Sequence, residues 1–257
     1  MTTDPAKRTD RTARKATAEQ VMELSRNLPL TRSVPGRAVE NATPGQLGFL
    51  SDLFRAENAS RAESKRNRLL RQAGFPQSKE LDGYDWSMAA FPTDWGREQL
   101  VSLEFIDRAE DLVLYGDVGC GKTHLAIAIG TLACQQGIPV RFFTASGLIM
   151  RLRKAKTDNR LDQELKTIGK ADLLIIERAR LPAHRHRRRQ APVPGSSPTA
   201  TVRRSIILRL EPGSGRWGDV FGRPRSWPPP SSTASTRHGR IIRFHGESYR
   251  NTHSLMK

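Results

Sequence analysis

LVLYGDVGCGKTHLA, residues 112–126, sets a glycine-rich loop between an apolar run and a helical pattern. The apolar run Asp111–Tyr115 reads as a short buried strand, and the pattern from Lys122 to Gln136 reads as a helix. Between them stands Gly116-Asp117-Val118-Gly119-Cys120-Gly121-Lys122-Thr123, a G-x-x-x-x-G-K-[ST] loop in strand-loop-helix context. Glycines let the backbone turn tightly and aim N–H groups at phosphate oxygens, and the helix adds its positive N-terminal end. Lys122 supplies a mobile charge for the β- and γ-phosphates, and Thr123 offers a hydroxyl to Mg²⁺. With His124 these eight residues make the candidate ATP-binding set. Cys120 reads first as a small filler of the loop. A reactive thiol is the alternative, because helix N-termini lower thiol pKa.

Downstream the rhythm stays α/β. Residues 139–144 (PVRFFT) predict a second strand, 145–156 and 159–169 two helices, and 172–177 a third strand. Alternating strands and helices predict a mainly parallel sheet covered on both faces. Upstream, residues 97–109 show helical spacing, with Leu100, Leu103 and Ile106 on one side. Residues 75–96 are aromatic and turn-rich. Thr43-Pro44 is an N-cap followed by Pro at the first helical position, opening a helix to about Ala73. Residues 1–42 read as a flexible basic tail with a short helix near Glu19–Asn27.

The totals set limits. No apolar run in the 257 residues approaches a membrane span, and the N-terminus lacks the apolar core of a secretory signal. Two cysteines and no zinc spacing point to a reducing cytoplasm. The net charge of +17 points to a polyanion such as DNA. Most of that excess sits in residues 178–237, where 13 arginines face two acids, Glu211 and Asp219. Nine of the 16 prolines are there too, so composition predicts an irregular or disordered segment. Three islands interrupt it or follow it: RSIIL (204–208), RWGDVFG (216–222) and HGRIIRFHGESYR (238–250). The last predicts a terminal sheet strand with Ile241 and Phe244 buried.

Five stretches together resemble the IstB family, ATP-binding helper proteins of one class of bacterial insertion sequences, related to the helicase loader DnaC. They are LDGYDWS (81–87), REQLVSLEFIDRAEDLVLYGDVGCGKTHLAIAIG (97–130), VRFFTASGLIMRLRKAK (140–156), RLDQELKTIGKADLLII (160–176) and GRIIRFHGESYR (239–250). The resemblance implies a P-loop NTPase of AAA+ type with ATP and Mg²⁺ as cofactors. It also implies assembly on DNA, a cognate transposase as partner, and a homo-oligomer. The implied organisation is a tail (1–42), a helical partner or DNA-contact region (43–75) and the first half of an AAA+ core (76–177). A degenerate Arg/Pro-rich segment (178–237) and a remnant strand and tail (238–257) follow. Tyr84 or Trp86 packs near the adenine, or into the core.

The family pattern breaks at the third strand. Such an ATPase ends this strand in Asp-Glu, one acid for Mg²⁺ and one for the attacking water; here the residues are Glu177-Arg178. Glu177 is a degenerate first acid, its carboxylate displaced by one methylene. Arg178 has no lone pair with which to orient water. A synonymous codon choice for residues 178–195, shifted by one base, reads DELGYLPIDTDGARHLFQV, the text the family places there. SWPPPSSTAST (226–236), given its own codon choice, likewise shifts into MAAAVVDRID. The expectation is a coding frame disrupted by small insertions or deletions, with the three islands in frame. Within the segment, His184 and His186 resemble a metal pair and the Arg run 185–189 a nucleic-acid patch, both read as by-products of the shift. The functional readings are an ATP-dependent transposition helper impaired in hydrolysis, a non-hydrolysing remnant, and a basic DNA-binding protein without ATPase activity.

Overall fold

The structure, a computed structural model, describes residues 17–31, 33–177, 204–211 and 239–246. Two compact units divide the chain, residues 1–65 and 66–257. The expectations for 1–16, for His184, His186 and the Arg run 185–189, for RWGDVFG (216–222) and for SWPPPSSTAST (226–236) lie outside the described residues.

In the first unit, α1 (Ala18–Ser25) opens with a capping box. Thr17 Oγ1 accepts from the Gln20 N–H, and the Gln20 side chain accepts from the Thr17 N–H. A second helix, α2 (Ser33–Glu40), corrects the reading of 1–42 as a tail with one helix. Its Pro35 lies in the first turn, where the missing N–H has no intrahelical partner to lose. The long helix α3 (Pro44–Ala73), whose residues 66–73 belong to the second unit, begins where Thr43-Pro44 predicts, with Gln46 Oε1 accepting from the Thr43 N–H at 2.8 Å. Asn58 Nδ2 ties α3 to the end of α1 through the Leu24 carbonyl at 2.8 Å.

In the second unit, six described strands form one sheet: β1 (Ala89–Ala90), β2 (Asp111–Gly116), β3 (Val140–Thr144), β4 (Leu173–Glu177), β5 (Ser205–Leu210) and β6 (Gly239–Phe244). Their order is β1-β6-β2-β5-β4-β3, parallel throughout except for the short antiparallel β1–β6 edge. The expectation of irregular structure over 178–237 therefore fails at 205–210. The RSIIL island is a central strand and runs two residues further, to Leu210. Its start is pinned on both sides: Ser205 Oγ donates to the Phe105 carbonyl and Asp111 Oδ1 accepts from the Ile206 N–H.

The sheet alternates between two cores. Leu112, Leu114, Leu173, Ile175, Ile207, Ile242 and Phe244 pack on one face, under α6 (Lys122–Gln135) and the aromatic segment before it. Leu174, Ile176, Ile206 and Leu208 face α7 (Ala145–Thr157) and α8 (Leu161–Ile168) through Leu148 and Ile168. Apolar material lies on both sides of α6, so its side chains are buried nearly all round.

Two expectations are corrected in detail. Residues 97–109 form not one helix but two, α4 (Arg97–Val101) and α5 (Glu104–Asp107), broken at Leu103 with φ +63°. The break keeps Leu100, Leu103 and Ile106 all in the core. In β6, Ile242 and Phe244 are buried while Ile241 is half-buried. Period-two alternation forbids Ile241 and Phe244 from sharing a face.

Candidate nucleotide site

The end of β2, the start of α6 and the ends of β4, β5 and β6 converge on the 116–123 loop. Gly116 is required by space: a Cβ there would lie 2.3 Å from the Phe244 carbonyl oxygen on β6. Gly121 is required by conformation, with φ +79° at the N-cap of α6. The loop thus presents backbone N–H groups and a helix N-terminus in the arrangement that binds phosphates. Val118 stands half exposed on it, while Cys120 is buried and donates weakly to the Gly246 carbonyl at 3.5 Å. That burial matches the filler reading of Cys120.

Lys122 is 2% exposed, and its Nζ donates to the Asp117 carbonyl within the same loop. Burial, with the Arg209 guanidinium nearby, holds its ammonium below the ordinary lysine range. The lysine is therefore a desolvated cation held by loop backbone.

Tyr84 packs beneath the loop, its hydroxyl 3.4 Å from the Gly121 carbonyl. Its ring meets His124 edge-on at 5.1 Å and Trp86 at 4.9 Å. Burial, then the Asp85 charge, pushes the Tyr84 phenol well above its usual range, so it stays a neutral donor. His124 is also held by that segment, with Nε2 2.9 Å from the Glu80 carbonyl. Trp86 lies under the Arg97 guanidinium at 4.6 Å. Both aromatics pack with the core, and Tyr84 additionally supports the loop.

The acid at the end of β4 has two partners. Thr123 Oγ1 donates to Glu177 Oε1 at 2.8 Å. Arg209 Nη1 donates to the same oxygen at 2.5 Å, and Arg209 Nη2 to Glu211 Oε1 at 2.5 Å. Register explains the meeting. Ile176 pairs with Leu208, so the next residues along the two parallel strands are Glu177 and Arg209. Alternation turns both toward α6, as it does Ile175 and Ile207. Thr123 and Glu177 are legible in the sequence; Arg209 and Glu211 are not. The available signal was a charge interrupting an apolar strand at the same depth as Glu177.

Donor type and charge disagree about Mg²⁺. A threonine hydroxyl and a carboxylate are the oxygen ligands such an ion takes. The carboxylate is nevertheless already paired with a guanidinium that is only 14% exposed and that it shares with Glu211. The glycine loop and helix N-terminus suit a phosphate chain; the Glu177 carboxylate beside Thr123 already holds a protein cation. No group of His, Cys, Asp and Glu suited to a metal occurs among the described residues. Nor is any described helix long and apolar enough to cross a membrane.

A parallel sheet with β5 set between the loop-bearing and acid-bearing strands, and a phosphate loop opening α6, define a P-loop nucleotide-binding fold of AAA+ type. The chain belongs to the IstB-like ATP binding protein family, whose model matches residues 31–256. It is 29% identical over 219 residues to the ATP-binding protein of insertion sequence IS5376 from Geobacillus stearothermophilus, spanning 79% of this chain and 80% of that one. It is 33% identical over 187 residues to the corresponding protein of IS21 from Pseudomonas aeruginosa, spanning 70% and 68%. A solved DnaC helicase loader is 21% identical over 51% of this chain and 76% of its own, with a TM-score of 0.32.

Proposed function

We propose that this chain is a cytoplasmic ATP-binding helper for DNA transposition that holds nucleotide in the 116–124 loop but is impaired in hydrolysis. The observation that carries the reading is the state of the β4 acid. Glu177 is committed to Thr123 and Arg209, and the residue after it in the sequence is Arg178. Orienting a water for attack on the γ-phosphate needs a second acceptor, which a guanidinium does not offer. Its partners in this reading are DNA, a cognate transposase and further copies of the chain, as the family and its insertion-sequence relatives favour. Titration with ATP, followed by phosphate release in the presence of duplex DNA, tests it. Saturable binding without release is the expected outcome; release at a rate set by added DNA and lost in Lys122→Ala refutes the impairment.

The same reading includes a disrupted coding frame across 178–237. Two of the islands read as in frame contribute β5 and β6 to the sheet, which favours it. The nucleotide sequence decides: codons that do not shift into DELGYLP end the idea. The second reading is a basic DNA-binding protein without ATPase activity, favoured only by the +17 charge. DNA binding indifferent to ATP and to Lys122→Ala would select it.

A further inference from the structure

The slot beside Thr123 is where a P-loop protein places the positive charge that accompanies its nucleotide. In this chain a guanidinium, shared by Glu177 and Glu211, stands against the carboxylate that Thr123 also bonds. Arg209 reaches the slot from β5, the strand between β2 and β4, and shares Glu177 Oε1 with the Thr123 hydroxyl. It is anchored on its other side by Glu211, and its side chain is 14% exposed, so solvent screens it little. Its Nε is buried with no hydrogen-bond partner among the described residues, which leaves one donor of the guanidinium unused. A divalent ion in the same slot would have to share a carboxylate that is already paired and would sit against a fixed like charge. Guanidinium is always charged and weakly hydrated, so it persists there across the physiological pH range.

We propose that Arg209 is the built-in counter-cation of this site, and that the chain binds nucleoside triphosphate without needing a divalent metal. The proposal rests on the ATP-binding reading above. Arg209 is a positioning and charge-supplying residue, and its effect is read in binding rather than turnover.

The test is calorimetric titration of the full chain with ATP, once in excess MgCl₂ and once in EDTA. The wild-type dissociation constants should agree within about threefold. Arg209→Gln should bind about tenfold or more weakly in EDTA and recover when Mg²⁺ is added. Arg209→Lys keeps the charge and should stay metal-independent, which covers the case in which the glutamine variant does not fold. A wild-type affinity that drops by more than about threefold in EDTA overturns the proposal while leaving ATP binding intact. Metal-independent binding that survives unchanged in Arg209→Gln removes Arg209 from the explanation and also overturns it. No binding of ATP in either buffer refutes the ATP-binding reading itself, and this proposal with it.

Discussion

Thr123 and Arg209 meet on a single atom, Oε1 of Glu177, one donating from the first turn of α6 and the other from the end of β5. The nucleotide loop is thereby tied to two strands through one carboxylate. The tie is electrostatic and only slightly exposed, with Glu177 at 19% and Arg209 at 14%.

That geometry predicts coupling. Glu177→Gln and Arg209→Gln should each lower stability, because each leaves a largely buried partner short of its charge-assisted bond. In a double-mutant cycle the interaction energy should be about 1–3 kcal/mol. Urea unfolding of the four proteins measures it. Additive effects, within about 0.5 kcal/mol, would show that the two side chains do not depend on each other.

Lys122 has a folded pKa below the ordinary value of 10.5 because it is buried. Between those two values the unfolded chain binds more protons than the folded one. Stability therefore rises with pH across that window, and at neutral pH the buried charge is a cost. Lys122→Met should raise the nucleotide-free unfolding midpoint at neutral pH, by about 1 kcal/mol in stability. The gap should narrow as pH climbs toward 10.5. The same variant should lose the stabilisation that ATP gives the wild type. Thermal melts across pH, with and without ATP, read both effects. A variant less stable than wild type at neutral pH contradicts the assignment of a desolvation cost.

Gly116→Ala is expected to be severe. The new Cβ would press on backbone, 2.3 Å from the Phe244 carbonyl oxygen, and not on a side chain that can rotate away. Parting β2 from β6 should cost about 3 kcal/mol or more, roughly 6–12 °C in Tm for a unit of this size. A melt within about 2 °C of wild type would mean the two strand ends are not held together in solution.

Both cysteines should resist alkylation in the folded chain. Cys134 is fully buried and burial pushes its thiol up to about 11; Cys120 is 1% exposed. Labelling at mildly alkaline pH should be about 100-fold or more slower than in denaturant. Rapid modification of Cys120 that ATP blocks would reinstate the reactive-thiol alternative.

Much of this fold is legible in the sequence, and the failures have physical causes. Strands and helices from Asp111 to Glu177 follow from periodicity because each buries a continuous apolar face. The helix α2 is not legible because Pro35 and Gly36 read as breakers, although a proline in a first turn is harmless. Leu103 is not legible as a break because leucine rarely takes the left-handed backbone that it has here, with its side chain buried. The Ile241 expectation fails on parity alone. Half of the site, the loop with Thr123 and Glu177, is written in local motifs. The other half, Arg209 with Glu211, comes from strand register, which joins residues 32 positions apart and leaves no local signature.

In the proposed reading the nucleotide site fills but does not turn over. The most direct measurement is phosphate release by the full chain under single-turnover conditions, with duplex DNA, in the same samples in which bound ATP is quantified. Stoichiometric bound ATP, lost in Lys122→Ala, is expected, with release no faster than that variant's background. Bound ATP converted to phosphate in a DNA-stimulated reaction that Lys122→Ala abolishes would contradict it.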